Sequence, residues 1–138
     1  MEVDPKTNEL AYRVIGAAIE VQKELGGPGL LEDVYESALC REFDIRGIRY
    51  RRQHPAPVYY KGISLEKTYI IDLIVEDVLI VELKATEIDD AVFRAQCRTQ
   101  LVFCNLHLGL VINFGQTSIK QGTHRVINNK YHLHAPKD

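Results

Sequence analysis

Three charged residues lie in segments of the chain that otherwise have the pattern of buried β-strands. Glu82 and Lys84 close the apolar run of residues 78–84, and they share one face because side chains two apart in a strand point the same way. Asp72 lies among the apolar residues of the preceding strand segment. A buried carboxylate without a partner costs free energy, so these charges require compensation.

Two interpretations account for these charges. The first is a salt bridge among Asp72, Glu82 and Lys84 at the margin of the sheet. The second is a metal site, because carboxylate oxygens, waters and a substrate phosphate are the usual ligands of Mg²⁺, and a neighbouring lysine can orient a water or stabilise developing charge. Paired strands lie about 5 Å apart, so separation in sequence does not prevent the acids from meeting.

The loop between the two strands decides whether the two carboxylates lie on the same face. A two-residue loop at residues 76–77 places Asp72 opposite Val81. The carboxylates of Asp72 and Glu82 then lie on opposite faces of the sheet, which removes the site. We therefore predict an odd-length loop or a bulge that returns both acids to one face.

Hydrophobic periodicity predicts the elements that hold these residues. Residues 78–84 are apolar on both faces, which indicates a central strand covered on both sides. The expected fold is α/β, with a mixed sheet flanked by helices on both faces. The predicted elements are a helix that begins at Asp4-Pro5 and stops at residues 26–29, a helix over residues 31–46, a strand meander from residue 48 to Lys84, a helix from Asp89 or Asp90 to about residue 104, and strands at residues 108–114 and 125–127.

Length and composition are typical of one globular domain. The chain has 138 residues, of which 46% are hydrophobic and 26% charged. We predict a single domain over residues 1–138, with a core over roughly residues 5–127 and a loose polar tail from about Asn128. No apolar run is long enough to span a bilayer and the first residues are acidic, so neither export nor membrane insertion is expected. The odd set of three cysteines is typical of reduced thiols in the cytoplasm.

Charge is distributed in blocks although the net charge is only −2. An acidic middle flanked by basic stretches suits a cation held beside an anionic ligand, but such blocks also arise by chance. Arg46, Arg49, Arg51 and Arg52 can track a phosphate backbone or simply solvate a strand edge. The block charges are −5 for residues 1–40, +4 for 41–65, −6 for 66–93 and +5 for 94–138.

Two motifs resemble those of a known family. Asp72 followed by Glu82-Leu83-Lys84 resembles the signature of the PD-(D/E)xK nuclease superfamily. The stretch from Gly29 to Tyr35, with Glu32 between them, matches the motif that names the GxxExxY protein family, a branch of that superfamily. The resemblance covers roughly residues 8–127, and it implies a restriction-endonuclease-like fold.

The resemblance also implies a role for each residue of the site. Asp72 and Glu82 would bind Mg²⁺, or Mn²⁺ as the alternative, with the Leu83 carbonyl as a third ligand. Lys84 would position the attacking water. Glu32 matches a helix glutamate that reaches the metal directly or through water, although the helix dipole favours an acid at this position whatever the function.

Gln96 matches the superfamily glutamine on the helix that follows the Glu-x-Lys strand. In the family this residue often begins a Gln-x-x-x-Tyr element and follows a histidine, whereas Gln100 and Phe93 stand at those two positions here. These departures concern contacts with the substrate rather than with the metal. Gln96 is predicted to point inward, on one stripe with Val92, Thr99 and Phe103.

The sequence therefore predicts an Mg²⁺-dependent nuclease that hydrolyses nucleic-acid phosphodiesters, with DNA as the favoured substrate. The catalytic residues expected are Glu32, Asp72, Glu82, Lys84 and Gln96. The rival is a non-catalytic module that binds nucleic acid or protein on the same fold, which Gln100 in place of a tyrosine favours. A small-molecule phosphoesterase with a closed pocket is a third possibility. The oligomeric state is left open, with a homodimer among the options.

Overall fold

Five β-strands form one mixed sheet in the order β1-β2-β3-β4-β5. The computed structural model describes residues 1–133. Strands β3 and β4 are parallel and the other neighbours are antiparallel, so the predicted meander and the central position of β3 are confirmed. The strands are β1 (Tyr50–Tyr60), β2 (Ile63–Val75), β3 (Leu79–Lys84), β4 (Leu108–Asn113) and β5 (Thr123–Ile127).

Helices cover both faces of the sheet, as the apolar pattern of β3 predicted. Leu79, Val81 and Leu83 pack into the large cluster under the first two helices, while Ile80 packs into a second cluster under the third helix. The α/β fold with helices on both faces is thus confirmed. The helices are α1 (Pro5–Glu24), α2 (Glu32–Arg46), α3 (Ala91–Cys104) and the short α4 (Ile119–Gly122). Within residues 1–133, no helix is long and apolar enough to cross a bilayer.

The helix ends follow local chemistry that is visible in the sequence. The carboxylate of Asp4 accepts the backbone N–H of Lys6 at 2.8 Å, with Pro5 as the first residue of α1. Asp90 caps α3 in the same way. Helix α2 ends at Gly47, whose φ of 70° is readily adopted only without a Cβ.

The loop between β2 and β3 has three residues, 76–78. Leu73 pairs with Val81, and Val75 pairs with Leu79. Continuing this register by one residue places Asp72 opposite Glu82, and residues directly opposite one another in an antiparallel pair share a face. The predicted odd-length loop is therefore confirmed.

The outer part of the β1–β2 hairpin extends beyond the rest of the sheet. Strand β2 pairs with β3 only over residues 73–75, so residues 63–72 of β2 pair with β1 alone. Every residue from 63 to 70 is exposed. We call this two-stranded extension, formed by residues 55–60 of β1 and 63–70 of β2, the ribbon.

The chain does not become loose at Asn128, contrary to the prediction for the tail. The Asn128 amide is buried and donates to the carbonyls of Leu101 and Leu106, which lie at the end of α3 and just beyond it. Asn105 and His132 exchange two hydrogen bonds of 2.8 and 3.0 Å. The polar composition predicts a loose segment, whereas these hydrogen bonds attach residues 128–132 to the end of α3 and to the loop that follows it. His134 and the residues after it lie outside the described residues.

Candidate active site

Asp72 and Glu82 each bond to the backbone of the other's strand. The Leu83 N–H donates to Asp72 Oδ2 at 2.9 Å, and the Asp72 N–H donates to Glu82 Oε1 at 3.3 Å. The two carboxylates thus replace the backbone ladder, which ends at Leu73 and Val81. Glu82 is buried, with 6% of its surface exposed, and Asp72 is partly buried.

The two acids are held in an unfavourable electrostatic environment. Burial and the neighbouring Asp72 carboxylate raise the pKa of Glu82 to about 8. Burial also raises the pKa of Asp72, and the charge of Glu36 raises it further. The hydrogen bond from the Leu83 N–H lowers it, but by less than burial raises it. These shifts indicate that the positive charge near the pair does not fully compensate it.

Lys84 lies near the acids without bonding to them. Its charge lowers the pKa of both Asp72 and Glu82, though less than burial raises each one. None of the ion pairs among residues 1–133 includes Lys84. Its Nζ instead lies 4.8 Å from the centre of the Phe93 ring. The direct salt bridge considered from the sequence is therefore wrong, and the ammonium group is not tied up by a carboxylate.

Glu32 approaches the same centre from the start of α2. Burial is the largest cause that raises the pKa of Glu32, and the Asp72 carboxylate raises it further. The charge of Lys84 lowers it. Within the described part of the chain, no three carboxylate, imidazole or thiol groups converge closely enough to form a ligand set. Glu32 is thus near Asp72 but does not complete a three-carboxylate site.

A comparison with family models places the chain among known proteins. A model described as the PD-(D/E)XK nuclease superfamily matches residues 8–126, which is most of the chain. The chain belongs to the PD-(D/E)XK nuclease superfamily. Searches of curated proteins and of solved structures gave no match. Membership indicates a nuclease, hence a nucleic-acid substrate, and nucleases of this superfamily generally use divalent metal ions.

The residues present fit a small divalent cation. Two carboxylates from adjacent strands suit Mg²⁺, which usually keeps several waters and takes one or two protein carboxylates rather than a full protein cage. The raised pKa values of Asp72 and Glu82 fit as well, because a bound cation supplies the charge that the pair lacks. The chemistry of Asp72 and Glu82 is therefore compatible with a divalent cation.

Sequence reasoning missed Glu36, one helical turn after Glu32. Glu36 is buried, and its Oε2 accepts from Arg52 Nε at 2.6 Å. Gln53 donates to both Glu36 oxygens from a backbone with a φ of 51°. The signal was available, because residues four apart on a helix share a face. Glu36 links β1 to α2 beside Asp72.

The third helix is rotated relative to the sequence prediction. Gln96 is exposed, so its predicted inward orientation is wrong, while Gln100 is 4% exposed and its Oε1 has no hydrogen-bond partner in the described residues. The structure does not test the catalytic assignment of Gln96. The residues that α3 turns toward the sheet are Phe93, Cys97, Gln100, Leu101 and Cys104.

The arginines of the basic segment are bound to acids. Arg49 pairs with Glu76 and Arg51 pairs with Asp77, both in the β2–β3 loop. Because these ion pairs tie the loop to β1, they help to fix the register that brings Asp72 opposite Glu82. The remaining pairs are Arg46 with Glu42 and Arg52 with Glu36.

The segment that follows Lys84 is held by Asn113 at the end of β4. The buried Asn113 Oδ1 accepts from the N–H groups of Thr86 and Gly115 at 3.1 and 2.9 Å, and its Nδ2 donates to the Ile88 carbonyl. A Cβ on Gly115 would overlap the Thr86 backbone. These contacts between the segment after β3 and the segment after β4 fix the path of the chain directly after Lys84.

Tyr35 fixes the start of α2, and therefore the position of Glu32. Its hydroxyl donates to the Gly27 carbonyl at 2.8 Å and accepts from the Leu30 N–H at 3.2 Å. Its ring stacks on Phe114 at 4.6 Å. The tyrosine thus clamps the glycine-rich loop that leads into the helix.

Replacing Tyr35 with phenylalanine is expected to lower the free energy of unfolding by about 1–2 kcal/mol. The ring stack on Phe114 remains, but two backbone groups lose their partner. Urea unfolding followed by circular dichroism measures the change. Tyr12, which is exposed on α1, provides the matched control Tyr12→Phe with no expected effect. An unchanged midpoint for Tyr35→Phe contradicts the clamp.

Proposed function

We propose that this protein is a metal-dependent nuclease that hydrolyses DNA phosphodiesters. The observation that carries the proposal is the reciprocal bonding of Asp72 and Glu82 across β2 and β3, with Lys84 near the pair and in no ion pair with a carboxylate of residues 1–133. A structural ion pair would use the lysine to neutralise the acids. Within residues 1–133, no lysine or arginine forms an ion pair with Asp72 or Glu82, and the Lys84 ammonium group can therefore contact a substrate or water.

Each residue of the centre has a part in the proposed reaction. Asp72 and Glu82 would hold Mg²⁺, or Mn²⁺ as the alternative, with the Leu83 carbonyl as a third ligand and Glu32 contributing through a water. When bound, the ion polarises the scissile phosphate and lowers the pKa of a bound water. Lys84 would orient that water for attack and stabilise the negative charge that develops on the phosphate oxygens.

Two finer assignments accompany this proposal. Each named position of the GxxExxY motif has a feature here: Gly29 has a φ of 119°, the charge of Asp72 raises the pKa of Glu32, and the Tyr35 hydroxyl bonds the Gly27 carbonyl. These features support membership of the GxxExxY branch. A reducing cytoplasmic location is supported by three free thiols, of which Cys40 and Cys97 are buried.

A cleavage assay tests the proposed activity. Single-stranded DNA, duplex DNA and RNA are each incubated with the protein in Mg²⁺, in Mn²⁺ and in EDTA. Cleavage of DNA that requires a divalent ion and is lost in Glu82→Gln supports the proposal. Cleavage in EDTA, or cleavage that Glu82→Gln retains, contradicts it.

The second candidate function is a binding module that retains the fold without catalysis. Two observations favour it: no third acidic ligand joins Asp72 and Glu82 within residues 1–133, and Gln100 occupies the position of the superfamily tyrosine with a buried, unpartnered oxygen. Nucleic-acid binding by a wild-type protein that cleaves none of the substrates would establish this alternative.

The raised pKa of Glu82 predicts how stability depends on pH without metal. Between an ordinary carboxyl pKa of about 4.5 and the folded value of about 8, folded Glu82 binds a proton that the unfolded chain has released. The free energy of unfolding should therefore fall as the pH rises through this window, and the melting temperature with it, by several degrees. The pKa values of Asp72 and Glu32 are raised too, so they contribute with the same sign.

Thermal melts in EDTA from pH 5 to pH 8 measure this dependence. Glu82→Gln should flatten the curve, because the amide does not titrate. The lowered pKa of Glu76 acts below its ordinary value of 4.5 and so lies outside the window. The lowered pKa values of His54 and His107 act with the opposite sign below 6.5, so the fall in stability is expected most clearly between pH 6.5 and pH 8. A wild-type melting temperature that rises steadily between pH 5 and pH 8 contradicts the assignment.

A further inference from the structure

The ribbon carries aromatic and aliphatic side chains into solvent. Tyr60 is 62% exposed, Ile63 is 67% exposed and Tyr69 is 41% exposed. A two-stranded ribbon is marginally stable in water by itself, and a contiguous exposed apolar surface marks a binding site more often than a passive one. The exposed apolar side chains of the ribbon therefore indicate a binding surface.

The register shows which face of the ribbon these side chains occupy. Tyr60 pairs with Ile63 and Ala56 pairs with Tyr69. The register shifts between these two pairs, and the extra residues lie in β2 around Glu66, whose φ is 54°. Residues 56 and 60 are an even number apart on β1, with no such residue between them, so all four side chains lie on one face. Ala56 is buried in the cluster under α3, and the Tyr69 ring contacts Phe103 of α3 edge-on at 5.7 Å. We call Tyr60, Ile63 and Tyr69 the tyrosine face.

The tyrosine face leads directly to the candidate active site. Glu82 and Lys84 share a face of β3 with Ile80, which belongs to the same cluster as Ala56. Asp72 follows Tyr69 by three residues on β2, about 10 Å along the strand. Regular alternation would separate their faces, but it is interrupted here, because Ile71 and Ile74 both pack in the cluster under α3. A chain molecule lying on the tyrosine face is thus directed toward the acids.

The charges near the tyrosine face indicate which polymer it accepts. Lys61 lies in the turn of the ribbon and Lys67 lies on its second strand next to Glu66, and neither lysine takes part in an ion pair of the described residues. The Nζ of Lys61 lies 5.5 Å from the centre of the Tyr60 ring. The arginines near the base of the ribbon are already paired with acids. Duplex binding commonly engages about 6–10 phosphates, whereas aromatic rings with a few cations are typical of single-strand binding by base stacking.

We propose that the tyrosine face is a binding site for single-stranded nucleic acid, in which bases stack on Tyr60 and Tyr69 while Lys61 and Lys67 contact the phosphates. The inference rests on the proposed nuclease function, because it identifies the form of the substrate presented to Asp72 and Glu82. The scissile strand then approaches the acids unpaired.

Fluorescence anisotropy with a labelled thymidine oligonucleotide of about 15 residues, in EDTA, tests the proposal. Tyr60→Ala should weaken binding roughly five- to a hundredfold, as loss of one stacked base does, and Tyr60→Phe should retain it. Tyr59 provides the matched control, because it pairs with Ser64 on the opposite face and Tyr59→Ala should leave the affinity unchanged. Lys61→Ala with Lys67→Ala should reduce the slope of log K against log salt by about 1.4 in total.

The outcomes separate this inference from the nuclease activity. Wild-type affinity in a folded Tyr60→Ala protein overturns the single-strand site, as does failure of the wild type to bind the oligonucleotide or equal losses for Tyr59→Ala and Tyr60→Ala. A wild-type dimer that Tyr60→Ala converts to a monomer at unchanged affinity also overturns it, in favour of a second copy of this chain. Face-specific binding without metal-dependent cleavage supports the ribbon site and removes the proposed catalysis.

Discussion

Lys84→Met is expected to lower the rate of DNA cleavage roughly a hundredfold or more while metal and nucleic-acid binding persist. Lys84 makes no ion pair with residues 1–133 and its Nζ lies over the Phe93 ring, so its removal leaves the carboxylate hydrogen bonds intact. A group that orients water or stabilises developing charge contributes about this much to the rate. Single-turnover cleavage at saturating metal and protein measures the effect, with binding followed separately.

The control for this variant is Lys6→Met, which removes an exposed lysine of α1 and should leave cleavage unchanged. A lysine that served only to neutralise the acids would act differently. Its loss would cost roughly 3 kcal/mol of stability, and metal would partly restore that loss. Cleavage at the wild-type rate in Lys84→Met removes the catalytic role, whatever the melting temperature.

Asp72→Asn is expected to change stability in opposite directions without and with metal. Without metal, the amide removes the repulsion that raises the pKa of Glu82, and it can still accept the Leu83 N–H. The melting temperature in EDTA should therefore rise. With metal at about a hundred times its Kd, the wild type gains about 2.7 kcal/mol, or roughly 10 °C, and the variant should lose most of that response.

Thermal melts of both proteins, with and without millimolar Mg²⁺ or Mn²⁺, measure this crossover. Glu87→Gln is the matched control, because it neutralises an exposed carboxylate in the segment after Lys84 and should retain the full response. The metal hypothesis fails if a folded wild-type protein does not respond to metal at all, or if Asp72→Asn responds as strongly as the wild type.

Features that depend on strand periodicity and capping could be predicted from the sequence. Side-chain alternation alone required an odd loop between Asp72 and Glu82, and the structure has one. The start of α1 at Asp4-Pro5 was predicted correctly, and Asp90, one of the two predicted candidates, caps α3, because these residues bond or omit backbone N–H groups at a helix start. These signals are local, so tertiary packing did not alter them.

Features that depend on contacts between distant segments could not be predicted. On α3, Val92 and Phe103 suggested a stripe that included Gln96, but the residues facing the sheet begin with Phe93, about 100° around the helix. The burial of Glu36 depends on Arg52 and Gln53 of another element. The anchored segment after Asn128 likewise depends on carbonyls near the end of α3.

The three-residue loop at 76–78 limits which insertions and deletions the gene can accept. Deleting one of its codons leaves Asp72, Glu82 and Lys84 unchanged as residues, yet a two-residue turn moves one acid to the far face. The length of this loop is thus as necessary to the candidate active site as the two acids themselves. Among related genes that retain both acids, the length of this loop should differ by even numbers of residues. A difference of an odd number should occur where the two acids no longer act together.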